Sequence, residues 1–280
     1  RRLFALYAGA SERDGVAIPQ FMNEIVSSQL DVDRMDYMIR DQANTGAQIG
    51  GFDSARVIRA LRVGEDGRLY AKSWGLPAIE AYLVTRYHMY NQVYFHKVNQ
   101  LTQEYLIRLL SRAKTLALSG EIQLSNSLTK MLTDENLSVT DYVKLTDADI
   151  NSVMIDWAEH SDEELSGYAQ KLSSRRGYHK SIRIGELTTE MAEVVIPKLL
   201  PILSEAGYDE SEIITASIRK KGYMPYAQGI LLEDGRDAVE HSPLIQSLVQ
   251  QSEQALIFIP EDVRDHCEVV ARECIKPSQS

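Results

Sequence analysis

Through the first 180 residues apolar positions recur at helical spacing, and beyond them they gather into short alternating runs. In Leu30-Asp31-Val32-Asp33-Arg34-Met35-Asp36-Tyr37-Met38-Ile39-Arg40-Asp41, helical spacing puts Val32, Met35, Met38 and Ile39 on one side. Asp33, Tyr37 and Asp41 form a line on the other. Pro19 followed by Phe21, Met22, Ile25 and Val26 predicts a short helix leading into this one, and residues 1–16 read as loop. Glycines punctuate 46–51, after which Phe52 to Leu61 is helical with Asp53 as its N-cap. Arg62 to Lys72, centred on Glu65-Asp66-Gly67, reads as a hairpin. From Ala78 to Leu118 there is neither Gly nor Pro, which predicts one helix of about forty residues and roughly 60 Å, the spine of its domain. Shorter helices with Asp and Thr caps follow, one running from Leu145 through Ile150 into Val153, Met154 and Trp157. Ser181–Ile184, Glu212–Arg219, Ala227–Glu233 and Ala255–Ile259 read as strands, with helices over Thr189–Glu205 and Pro260–Ile275. The pattern therefore predicts a mainly α domain over 1–181 and a small C-terminal α+β lobe over 182–280.

The 280 residues, 44% of them apolar, suffice for a large packed core plus an appended lobe. A net charge of -10 argues against indiscriminate nucleic-acid binding, since polyphosphate backbones are held by Lys and Arg. Two local basic clusters stand out, Ser173 to Lys180 and Arg219-Lys220-Lys221. Cys267 and Cys274 fall on one predicted helix, separated by roughly 10 Å, too far for a disulfide. No segment has the apolar length of a membrane span, so no membrane partner is expected, and the unpaired thiols fit a cytoplasmic setting. None of the six histidines shows metal-ligand spacing.

Two polar faces carry candidate chemistry. Arg86, Tyr90, Tyr94 and Lys97 share a face of the spine helix and could hold a nucleotide, cations on phosphates and rings against sugar and base. By periodicity alone the same face could be core tyrosines with snorkelling charges, and Asp36 with Arg40 an ordinary ion pair on a solvated surface.

The segment Leu30 to Asp41 with Thr45-Gly46 resembles the last signature of HD-domain phosphohydrolases, in the branch of the SAM- and HD-domain deoxynucleoside triphosphate triphosphohydrolases. The resemblance implies an HD-domain-like helical fold and hydrolysis of dNTPs to deoxynucleoside and triphosphate. It implies a divalent metal (Mn, Mg, Fe or Zn) with Asp33 as one ligand; the family's His and His-Asp ligands have no counterpart here, so those ligands are expected outside this chain. On that basis the chain reads as the family's C-terminal portion, either a fragment or a form lacking the catalytic half. The Thr85-Arg86 to Tyr94-x-His96-Lys97 pattern is similar to the family's substrate segment, making Arg86 a phosphate arginine and Tyr94 a base-side ring. Arg34 is then a second phosphate-facing cation, Tyr37 the ring closing off the sugar 2'-position, and Asp41 the acceptor of the 3'-hydroxyl, with Tyr90 and Lys97 beside them. Arg176-x-x-x-Lys180, Arg56 and Lys72 resemble a site for an activating nucleotide between subunits, which implies a homo-oligomer, dimer or tetramer; as bare sequence the basic turn is solvated surface. The alternative to an enzyme is a non-catalytic nucleotide-binding or assembly subunit.

Overall fold

The computed structural model describes residues 12–13, 16–133, 137–185, 187–221, 223–225, 229–249 and 251–275. Helices dominate, accompanied among the described residues by two small ribbons and one three-stranded sheet. The fold is mainly α with a small sheet, as the periodicity predicts. Packing divides the chain into two compact units, Arg1–His96 with Arg219–Glu253, and Lys97–Ile218 with Gln254–Ser280. Residue 182, where the sequence pattern changes, lies inside the second unit. There Leu101 and Tyr105, from before the change, share a core cluster with Ile214, Ala216 and Phe258 from after it.

In the first unit, Gln20–Val26, Val32–Thr45, Ser54–Ala60 and Leu76–Met89 are helices, and Leu61–Val63 pairs antiparallel with Leu69–Ala71. The Val32–Thr45 helix begins where the Asp31 carboxylate accepts the Arg34 amide at 2.7 Å and ends at Gly46, whose φ of 70° few side chains tolerate. Met35 and Met38 are buried with Leu30, Ile79, Tyr82 and Leu83. Val32 and Ile39, expected on the same apolar side, are each 49% exposed, because they flank the buried Met35–Met38 stripe instead of continuing it. Asp53 caps Ser54–Ala60 as predicted, accepting the Arg56 amide at 2.8 Å. Gly75 lies so close to Ala60 that an added Cβ would come within 2.3 Å of the alanine's Cβ, so that close approach needs a residue without one. The returning segment supplies Tyr223, Ile230, Leu232, Ala238, Val239, Ile245 and Leu248 to the same core. Of the expected strand over 227–233, residues 227 and 228 lie outside the described residues, and over 229–233 no strand forms: Leu231 and Leu232 make only isolated bridges, to Asp237 and Ala71. Most of residues 1–16 also lie outside them.

The forty-residue spine is not one helix. Leu76–Met89 runs into a π turn, Tyr90–Tyr94, where the Phe95 amide donates to Tyr90 O five residues back at 2.8 Å. A new helix starts at Lys97, and the two compact units divide at that point. The absence of Gly and Pro does not guarantee a continuous helix, because widening to a π turn needs neither.

In the second unit the Lys97–Ser119 helix buries Leu101, Tyr105, Leu109, Ala113 and Leu116, successive residues four or three apart. Leu109, Ala113 and Leu116 pack with Leu128, Trp157, Leu165 and Ala169 from the shorter helices. Thr146 and Asp149 form a capping box at Asp147–Trp157. The sheet places Gln251–Ile259 between Lys180–Ser181 and Ile214–Lys221. Thr189–Glu205 is helical to the residue predicted, despite Pro197 and Pro201 inside it, because Ala192, Val195, Leu199 and Leu203 are buried with Ile257, Ile259, Cys267 and Ala271. The closing helix starts at Arg264, later than expected, and carries both free cysteines, Cys267 buried and Cys274 exposed.

Candidate functional site

In the first unit the structure draws together residues that lie far apart in sequence. Val32–Thr45 presents Arg34, Tyr37 and Asp41 at successive turns, and the end of Leu76–Met89 with its π turn presents Arg86, Tyr90 and Tyr94. Tyr94 Oη donates to Asp41 Oδ2 at 2.9 Å, the Tyr37 and Tyr94 rings meet edge to face at 6.0 Å, and Tyr90 meets Tyr94 at 5.1 Å. The Arg86 guanidinium lies 5.7 Å from the Tyr90 ring centroid. Burial raises the Tyr37 phenol above its ordinary pKa, reinforced by its hydrogen bond with Tyr90, while Arg34 and Arg86 pull it the other way. Burial also raises Tyr94, followed by its bond to Asp41. Both are therefore neutral hydroxyls at any ordinary pH, fit for hydrogen bonding and ring contact and not for accepting a proton.

Beside this cluster lies a cavity of about 340 Å³, within the size range of small-molecule sites. Arg34, Arg86 and Arg68 line it, with Gln29, Ser28, Glu24, Tyr70 and the Met224 and Ile230 segments. Arg34 is tied to Asp31 and to the Ser28 carbonyl, so its position follows from the buried helix cap. Arg86 Nη1 donates to Gln29 Oε1 at 2.6 Å, while its buried Nε has no hydrogen-bond partner among the described residues. The Tyr82 hydroxyl, four residues earlier on the same helix and fully buried, likewise has none. Gln29, Glu24, Arg68, Tyr82 and the cap Asp31 were not singled out by sequence. Asp31 carried a signal, an acid three residues before a helical amide, whereas Gln29 meets its partner only across 57 residues.

Asp33 sits exposed in the first turn of its helix. Among the described residues no three His, Cys, Asp or Glu side chains converge as a metal centre, so these residues offer Asp33 without a complete ligand set. Lys97 opens the first helix of the second unit and is exposed.

The other four basic candidates divide between units. Arg56 donates to the Trp74 carbonyl at 3.3 Å and lies 5.8 Å from that ring, and Lys72 Nζ contacts Glu233 Oε2 at 2.8 Å. That ammonium, together with Ser73, holds the Glu233 carboxyl down at about 2. In the second unit Arg175 ends the Glu163–Ser174 helix in the left-handed region at φ 55°, leaving Arg176 exposed in the turn, and Lys180 lies 3.5 Å from Glu261.

Residues 52–278 match the family model described as the HD associated region. The chain belongs to that family. It is 33% identical over 188 residues to protein YwfO of Bacillus subtilis, a match spanning 67% of this chain and 42% of that protein. To protein MG461 of Mycoplasma genitalium it is 27% identical, over 61% of this chain and 44% of the relative. The matched stretch is thus less than half the length of these relatives. Among solved structures, a phosphohydrolase from Bacteroides thetaiotaomicron superposes with a TM-score of 0.72 at 29% identity, covering 92% of this chain and 66% of that one. A hypothetical protein from Aquifex aeolicus shares the fold at a TM-score of 0.70 and 23% identity, over 96% of this chain and 64% of that one. No described helix is long and apolar enough to cross a membrane.

Proposed function

We propose that the chain is part of a metal-dependent phosphohydrolase acting on nucleotides, and on dNTPs in particular, releasing deoxynucleoside and triphosphate. The observation that carries this reading is the meeting, in one unit, of the cavity-lining Arg34 and Arg86 with a linked Tyr37–Tyr90–Tyr94–Asp41 cluster. Likeness to a phosphohydrolase supports the reaction class. Arg86 and Arg34 hold phosphate oxygens and the charge that develops on them. The tyrosine rings flank sugar and base, Tyr37 leaves no room at the 2'-position, and Asp41 accepts the 3'-hydroxyl with the oxygen not engaged by Tyr94. A site built this way rewards a 3'-hydroxyl with a charged hydrogen bond and penalises an extra 2'-hydroxyl by clash. The metal would take Asp33 as one ligand, the remainder coming from outside the described residues, and when bound would polarise a phosphate and lower the pKa of water.

Arg56, Lys72, Arg176 and Lys180 form the second part of the proposal, a site for an activating nucleotide completed between copies in a dimer or tetramer. A ligand that binds only the assembled state favours it by about 2.7 kcal/mol at a hundredfold excess over Kd. Solution mass measured with and without dGTP tests this. Nucleotide should raise the mass for wild type and not for Arg176→Ala with Lys180→Ala; an equal response of both rejects the site.

That no complete ligand set stands among the described residues also favours a second reading, a nucleotide-binding or assembly subunit without catalysis. Incubation with Mn2+ and a dNTP mixture decides between them. Deoxynucleoside and triphosphate released by wild type, and not by Arg86→Ala, supports the enzyme. Nucleotide binding without turnover, even with a His-Asp-containing segment added, supports the subunit.

A further inference from the structure

Of the three arginines that line the cavity, Arg34 and Arg86 are held by chemically different partners. Arg34 is held by the Asp31 carboxylate, which neutralises it. Arg86 is held by the side-chain amide of Gln29, which is 7% exposed and uses both ends: Oε1 accepts from Arg86 Nη1 at 2.6 Å, and Nε2 donates to the Met224 carbonyl at 3.2 Å. Gln29, Arg86 and Met224 all line the cavity. A neutral acceptor fixes a guanidinium without cancelling its charge, whereas a carboxylate fixes and cancels together. Arg86 therefore faces the cavity oriented, with no carboxylate partner among the described residues and its buried Nε still short of an acceptor there.

We propose that Gln29 is a positioning residue that orients Arg86 toward the polyphosphate while leaving its positive charge intact, and so sets the affinity of the cavity for the anionic end of its ligand. The inference rests on the reading of the cavity as a phosphate site. Two substitutions separate the two parts of the role. Gln29→Met removes the acceptor and lets the guanidinium wander, while Gln29→Glu keeps an acceptor but adds a charge that cancels Arg86.

The test is calorimetric binding of inorganic tripolyphosphate to the full chain at two salt concentrations, with thermal midpoints recorded for each variant. Wild type should bind, and Arg86→Ala should weaken binding by roughly tenfold or more, the loss of a charged hydrogen-bonding group. Gln29→Met should weaken it about fivefold. Gln29→Glu should weaken it at least as much and flatten the salt dependence, since fewer net charges are screened. Neither Gln29 substitution should weaken the residual binding of Arg86→Ala further, because Gln29 acts through Arg86. If Gln29→Met and Gln29→Glu bind as wild type does while Arg86→Ala fails, the positioning role is wrong and the phosphate site stands. A Gln29 effect that persists unchanged in Arg86→Ala, alongside a lowered thermal midpoint, assigns Gln29 a merely structural role and also overturns the proposal. If Arg86→Ala binds as wild type does, the phosphate-site reading itself falls, and this inference with it.

Discussion

Replacing Asp31 should release the helix on which half of the candidate site is built. Asp31 is 3% exposed, and its carboxylate accepts the Arg34 amide at 2.7 Å, the Ser28 amide at 3.1 Å and the Arg34 guanidinium. Loss of an N-cap costs about 1 kcal/mol. Each amide left unpaired in a half-buried setting costs about another 1 kcal/mol, and the ion pair adds little, because Arg34 retains solvent contact. Counting the Arg34 amide as the cap bond and the Ser28 amide as the one further loss, Asp31→Ala should destabilise Val32–Thr45 by about 2 kcal/mol, roughly a 30-fold rise in amide exchange if the helix opens locally. Asp31→Asn keeps a capping oxygen and should show only a small part of this. Hydrogen exchange followed by mass spectrometry over 32–45 reads it directly, with 97–119 in the second unit as the internal control. If Asp31→Ala exchanges within a few-fold of wild type, the cap does not hold this helix, and the placement of Arg34, Tyr37 and Asp41 has some other cause.

Two further predictions concern local contacts. Tyr94→Phe frees Asp41 Oδ2 from its 2.9 Å bond while keeping the ring packing, so fold stability should change by at most about 1 kcal/mol while dNTP affinity changes severalfold; unchanged affinity would remove Asp41 from the site. Asp162 caps the Glu163–Ser174 helix and pairs with Arg112, whose hydrogen bond holds its carboxyl at about 2 against an ordinary 3.8. Because the folded value is depressed, this contribution is complete above pH 3.8 and is lost as pH falls toward 2; Asp162→Asn should flatten the second unit's acid unfolding in that window, and an unaltered profile would deny the pair that role.

Much of the fold was legible because its determinants are local. Thr189–Glu205, the capping box at Thr146, the cap at Asp53 and the hairpin around Gly67 each depend on neighbours in sequence. The break at Phe95–His96 was not legible, since a π turn replaces one backbone hydrogen bond by another without requiring a helix breaker. Neither was the failure of 229–233 to form a strand, which depends on what the rest of the unit offers as a pairing edge. For the site, the helical spacing aligned Asp33, Tyr37 and Asp41 on one helix face, and resemblance to a family added Arg34 and joined them to Arg86 and Tyr94. Gln29 and Arg68 stayed hidden, because they meet the cavity only through contacts made in the folded unit.

The central claim is that Arg86, Tyr37, Tyr94 and Asp41 form a deoxynucleotide site, and titration of the chain with dATP and with ATP tests it most directly. dATP should bind tighter than ATP by about tenfold or more, with an advantage that shrinks in Tyr37→Ala and an affinity that collapses in Arg86→Ala. Equal binding of the two nucleotides, or binding indifferent to Arg86→Ala, would contradict it.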